Sequence, residues 1–399
     1  MHYTFNRVRI IRYLSIFEMV VGTNDGSPNF ANLNELASET NGGQIVFATD
    51  DWFACAENLL KDTEPVFKPD LYTDFGKWMD GWETRRRRCQ GHDWAVIALK
   101  KPSTIMGVCV DTAYFTGNYA PRFSIQAAKL TDEEAKLFPK RECKIGTAAD
   151  KSQMEQVQRI DTQKWETLVP MTNLRAGYEE TRLNYFNVFE TGTWTHLRLN
   201  MFPDGGIARL RVFGFVTPDW EEVNSDELID LMSAENGTVC ESYSNAHYGH
   251  PRNLIKTERG INMGDGWETA RRLDRPPILE ADDSGVLQVP GNEWAIFRLG
   301  HVGEIHSIEV DTNFFKGNFP DSIKIEGVLA DPNQDSRRWS WKTIMTPKKL
   351  SPHKQHFYST DDLLSYGPIT HVKLTMAPDG GISRVRMLGH ISHVSELLR

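Results

Sequence analysis

The chain has 399 residues, 40% of them hydrophobic and 25% charged. At roughly 100–200 residues per domain that length favours two cores over one, and the composition excludes a disordered polymer. The 45 Lys+Arg against 54 Asp+Glu leave a net charge of −9, which excludes the basic field that non-specific nucleic-acid binding needs and disfavours anionic membranes.

From the N-terminus, the longest early apolar run, residues 14–21, is broken by Glu18 and falls far short of the ~20 residues that span a bilayer. Neither nucleic acid nor membrane is therefore an expected partner. Arg7, Arg9 and Arg12 precede any acid, as in a transit peptide, but serine is nearly absent. Residues 1–32 are read as a poorly ordered extension. Cys55, Cys89, Cys109, Cys143 and Cys240 form no CxxC pair and no disulfide framework, which fits a reducing intracellular compartment, the cytoplasm. Cys109 lies in an apolar run and is expected to be buried.

From residue 33 onward the chain is written twice. Ser38-Glu-Thr-Asn-Gly-Gly43 returns as Ser233-Ala-Glu-Asn-Gly-Thr238, and Asp80-Gly-Trp-Glu-Thr84 returns unchanged as Asp265-Gly-Trp-Glu-Thr269. Val110-Asp-Thr112 and Phe115-Thr-Gly-Asn118 match Val310-Asp-Thr312 and Phe315-Lys-Gly-Asn318; Pro203-Asp-Gly-Gly-Ile207 matches Pro378-Asp-Gly-Gly-Ile382. The order is constant while the spacing drifts, so the copies differ by insertions. The boundaries read as copy 1 at 33–216, an acidic linker at 217–226, and copy 2 at 227–399. The polar stretch 131–158 belongs to copy 1 alone and reads as an excursion outside its core.

Within the copies, two-residue alternation predicts strands. It runs through Phe123, Ile125 and Ala127, through Leu197, Leu199 and Met201, and through Leu210 and Val212; Val372, Leu374, Met376, Val385 and Met387 repeat it. The Pro-Asp-Gly-Gly segments read as tight hairpins. Glu227–Met232, after Ser225, reads as one short helix. Short strands between Gly, Pro, Asp and Asn turns, with no βαβ rhythm, make an all-β protein of two tandem sandwiches.

No GxSxG, HExxH, P-loop or GxGxxG signature is present. The sharpest constellation is Asp80-Gly-Trp-Glu83 followed by Arg85 to Arg88, against Asp265-Gly-Trp-Glu268 followed by Arg271 and Arg272. Two acids three apart beside guanidinium groups can hold an anion and move protons. They can equally be a Trp-anchored turn whose acid caps amides and pairs with an arginine. Arg209, Arg211, Arg384 and Arg386 fall on the polar faces of strands, where an exposed sheet face and a carboxylate site are both open. Asp204 and Asp379 read as turn residues, Asp111 and Asp311 as turn caps or site members, and His196 and His371 as cross-strand partners. His247/His250 and His353/His356 lack further ligands for a metal.

Phe75-Gly-Lys-Trp-Met-Asp-Gly-Trp-Glu-Thr84, Tyr114-Phe-Thr-Gly-Asn-Tyr-Ala-Pro-Arg122 and the stretch from Trp194 through Pro203-Asp-Gly-Gly to Arg209 resemble allantoicase, the allantoate amidinohydrolase of purine degradation, over residues 33–392. The resemblance implies two jelly-roll β-sandwiches of the galactose-binding-domain-like type and hydrolysis of allantoate to ureidoglycolate and urea in allantoin degradation. Such a site needs a guanidinium clamp, an acid and a base. Copy 1 offers Arg86, Arg122, Arg209 and Arg211 as clamps and Asp80 and Glu83 as the proton-transfer pair. The second-copy equivalents are Asp265, Glu268, Arg271 and Arg384. Copy 2 has Ala270 in place of Arg85 and Ser322 in place of Arg122, so copy 1 is the favoured site. Acidic turns with His196 are compatible with a divalent ion such as Mn2+, although no spacing demands one. The expected partner is the small-molecule substrate, with self-association left open. The rival class is a non-catalytic carbohydrate- or anion-binding sandwich, including a family member that has lost turnover.

Overall fold

A computed structural model describes residues 27–331 and 334–392; most of the basic N-terminal extension lies outside the described residues. Two compact units form, one from Glu35–Phe215 with the described residues up to Ala31, the other from Val216 onward with Asn32–Asn34. Among the described residues, no helix is long and apolar enough to cross a membrane.

Each unit is organised by one strand of 19 residues that serves two sheets. In the first unit the strand is Asp93–Asp111. Its first half pairs with Gln44–Ala48 and with Trp194–Phe202, placing Ile97 opposite Ile45 and Leu197. The sheet continues through Arg122–Ala128 to Glu166–Asn173. Its second half pairs with Leu183–Asn187 and neighbours Arg209–Val216. Pro102 sits between the halves, where a residue without an N–H lets the chain leave one ladder and enter another. Inward side chains Leu197, Leu199, Met201, Leu210 and Val212 are fully buried between the sheets, each contributing about 1.5–3 kcal/mol relative to exposure. The second unit repeats the plan on Glu293–Asp311, with Ile369–Ala377 on its first half and Arg384–Ile391 on its second. These are two β-sandwiches, as the alternation predicted, and of the jelly-roll type that the resemblance implied.

Four local expectations need correction. The Pro-Asp-Gly-Gly segments are not tight hairpins: Trp194–Phe202 and Arg209–Val216 flank different halves of the long strand and do not pair with each other. The turn, with Gly205 at φ 133°, carries the chain from one sheet to the other, and Gly206–Ile207 pairs with Trp82–Glu83 on the way. Glu227–Met232 is not a helix. Ile229–Asp230 adds a strand beside Leu388–Gly389, and the Asp230 carboxylate accepts the N–H groups of Met232 and Met387. Within the supposed extension, Asn29–Asn32 forms a 3-10 turn that buries Phe30 against Tyr185 and Phe213.

The excursion is the fourth. It forms two short helices, Asp132–Ala135 and Lys151–Gln158, each opened by a capping box on Thr131 and Asp150. It is not outside the packing: Phe138 and Val157 cover the outer face of the sheet and make a satellite core with Phe47, Trp94 and Val96. Residues 93–97 are consequently buried on both faces, whereas the matching strand of copy 2, which has no equivalent insertion, alternates buried and half-buried.

Candidate functional site

The Asp80-Gly-Trp-Glu83 turn is fixed from three directions. Trp82 is fully buried and its indole N–H donates to the Asp50 carbonyl at 2.8 Å. Gly81 is required sterically, because a Cβ would stand 2.6 Å from the Ile207 carbonyl and 2.7 Å from the Phe115 ring. Asp80 is buried, and its carboxylate accepts from Arg209 Nη2 at 2.8 Å, Lys61 Nζ at 3.3 Å and the Val66 N–H at 3.0 Å. Burial alone raises a carboxyl pKa, but these three donors outweigh it and hold Asp80 below the usual range.

Arg209 departs from the polar-face expectation. It is 1% exposed, and four of its N–H groups are spent on Thr63 O, Asp80 O, Ala208 O and the Asp80 carboxylate. A guanidinium so enclosed has no fork to offer a substrate. Copy 2 reproduces the arrangement: Arg384, also 1% exposed, donates to Glu258 O, Asp265 O, Ser383 O and the Asp265 carboxylate, which Lys256 Nζ reaches at 2.6 Å. In each copy this ion pair is buried and its arginine is spent within the turn.

Glu83 is different. Its backbone bridges Ala54 on one side and Gly206 on the other, and the half-buried carboxyl receives Asn118 Nδ2 on Oε1 at 2.6 Å. Oε2 has no hydrogen-bond partner among the described residues. Burial raises the Glu83 pKa, with the Asn118 bond only partly offsetting it, and a carboxyl shifted in this direction is better suited to exchanging a proton than one held as an anion. In copy 2 Asn318 Nδ2 meets Glu268 Oε1 at 2.5 Å.

The arginines after Glu83 separate by role. Arg87 is structural: its N–H donates to Asp204 and its side chain to Asp93 at 2.7 Å, as Arg272 donates to Asp379 and Glu293. Arg85 lies over the Trp52 ring at 4.1 Å, with Nε and Nη2 each 2.7 Å from Asp50 Oδ2, and among the described residues its remaining donors have no partner. Arg86 and Arg122 are exposed, as is Arg271 in copy 2, and none makes an ion pair with a described residue. Arg211 is half-buried and its Nη1 has no partner among the described residues, while its counterpart Arg386 is bonded to Asp230 and two carbonyls.

The residues suggested as metal ligands do not assemble. His196 stacks beside Phe138 and Trp165 with Nδ1 against the Thr195 hydroxyl. Among the described residues, the one cluster of three potential ligands, Cys55, Glu57 and Cys143, includes neither Asp80 nor Glu83. Sequence reasoning also passed over Asn118, Asp50 and Trp52. Asn118 was signalled by its exact return as Asn318, and Asp50 and Trp52 by their replacement with Asn245 and His247 in the copy that lacks Arg85.

A family model described as the allantoicase repeat matches residues 34–217 and again 229–392. The chain belongs to the allantoicase family. A probable allantoicase of Pseudomonas syringae pv. syringae is 38% identical over 367 residues, covering 91% of this chain and 98% of the relative. One from Ralstonia nicotianae is 39% identical over 358 residues, 89% and 94% of the two chains. The crystal structure of allantoicase from Saccharomyces cerevisiae superposes with a TM-score of 0.66 at 31% identity, covering 95% of this chain and 97% of that one. The family assignment thus spans both sandwiches, and with them both Asp-Gly-Trp-Glu turns.

Proposed function

We propose that this protein hydrolyses allantoate to ureidoglycolate and urea, and that the first sandwich carries the reaction around Glu83. The family match across both repeats carries the activity; the free Oε2 of a half-buried Glu83, held by Asn118, supports the location.

Allantoate bears a carboxylate and two ureido groups on one carbon. Water must add its oxygen to that carbon as the bond to one ureido nitrogen breaks, and that nitrogen must gain a proton to leave as urea. A single carboxyl of raised pKa can take the proton from the attacking water and deliver it to the departing nitrogen. Arg85, held in place by Asp50 and Trp52, supplies a fixed guanidinium for the substrate carboxylate; Arg86 and Arg122 add cationic groups without fixed partners. Asp80 and Arg209 hold the turn. Among the described residues, no cluster of three His, Cys, Asp or Glu side chains includes Glu83 or Asp80, and the steps here are assigned to the chain's own side chains.

The test is urea release from allantoate by the purified protein, assayed with EDTA and with added Mn2+. Turnover under EDTA supports the account as written. Turnover only with Mn2+ would require a metal step, and none in either condition would leave a binding protein that has lost the reaction.

A further inference from the structure

The five cysteines offered no pairing in sequence, yet the fold brings two of them together. Cys55 is buried where the chain turns into the 3-10 segment Ala56–Leu60. Cys143 is exposed in the copy-1 insertion. Their sulfurs lie within 4.8 Å of each other and of a Glu57 oxygen.

The surroundings belong to copy 1 alone. Arg141 of the insertion bonds Asp51 at 2.7 Å and both oxygens of Glu57. Copy 2 lacks the insertion and has Ala246, His250 and Arg252 where copy 1 has Asp51, Cys55 and Glu57. The acids and the thiol therefore occur together with the segment they meet. Because a guanidinium already occupies Glu57, a metal cation is disfavoured in the third corner, and thiol–thiol chemistry is what remains.

We propose that Cys55 and Cys143 form a redox modification site, closing to a disulfide that clips the insertion to the loop carrying Asp50, Trp52 and Ala54. With a low-molecular-weight disulfide such as oxidised glutathione as oxidant, the Cys143 thiolate attacks one glutathione sulfur. The S–S bond breaks and one glutathione leaves. The Cys55 sulfur, having given up its proton, then attacks the Cys143 sulfur of the mixed disulfide and displaces the second glutathione. One external disulfide is reduced to two thiols as two protein thiols are oxidised. Burial raises both cysteine pKa values, so closure is slow at neutral pH and accelerates as pH rises.

The experiment incubates the full chain with excess oxidised glutathione at several pH values, then quenches, alkylates and maps the peptides by mass. The expected product has lost two hydrogens and yields a Cys55–Cys143 cross-linked peptide, its rate rising about tenfold per pH unit below the thiol pKa values. Closing so long a loop should raise Tm by about 10 °C, reversibly with dithiothreitol. Cys143→Ser should abolish both effects and Cys89→Ser neither. A persistent glutathione adduct on Cys143 without the cross-link, or a cross-link to Cys89 instead, would overturn the proposal.

Discussion

Arg85 and Asp50 are joined at 2.7 Å through both Nε and Nη2, and the repeat loses both together, with Ala270 and Asn245 in their places. The turn itself survives the exchange. Asp50 Oδ1 accepts the N–H groups of Trp52 and Arg85, and Asn245 Oδ1 accepts those of His247 and Ala270 in the same way. The negative charge is thus dispensable for folding the turn and is needed to hold the guanidinium.

Asp50→Asn should accordingly leave Tm nearly unchanged while raising KM for allantoate about tenfold, as Arg85 loses its anchor. Arg85→Lys keeps the cation but not the fork and should also act mainly on KM. Steady-state kinetics beside thermal melts check both; a large drop in Tm with unchanged KM would place Asp50 among the folding residues.

The buried Asp80–Arg209 pair predicts the opposite pattern. Asp80→Ala leaves a guanidinium enclosed without its counter-ion and should cost about 3–5 kcal/mol in urea denaturation, and Asp265→Ala should destabilise the second sandwich similarly. Intact stability with abolished turnover would return Asp80 to the chemistry.

His196 gives a pH signature. Burial lowers its pKa to about 4 from an unfolded value near 6.5, so between these values the unfolded chain binds the extra proton. The stability due to this group is therefore complete above pH 6.5 and falls as pH drops towards 4, by about 3 kcal/mol in all. His196→Phe should flatten that part of the stability–pH curve, and an unchanged slope would assign the effect to other groups.

What could be read in the sequence followed from range. The duplication and the alternation of Leu197, Leu199 and Met201 are local or repeated patterns, and they were legible. Pairing partners were not: alternation marks Arg209 as facing away from Leu210 but is silent about Asp80, 129 residues earlier, which draws it inward. The polar excursion hid Phe138 and Val157, two spaced apolar residues that bury the outward face of Trp94 and Val96. Glu83 was visible as a candidate, whereas its distinction from Asp80 depended on which oxygen each neighbour occupies.

The most direct test is kcat/KM for allantoate in Glu83→Gln beside Glu268→Gln, each with its Tm. The account predicts a loss of ~10² or more from Glu83→Gln at unchanged Tm, the scale of a positioned proton-transfer group, and little change from Glu268→Gln. Equal losses from the two variants, or full activity in Glu83→Gln, would contradict it.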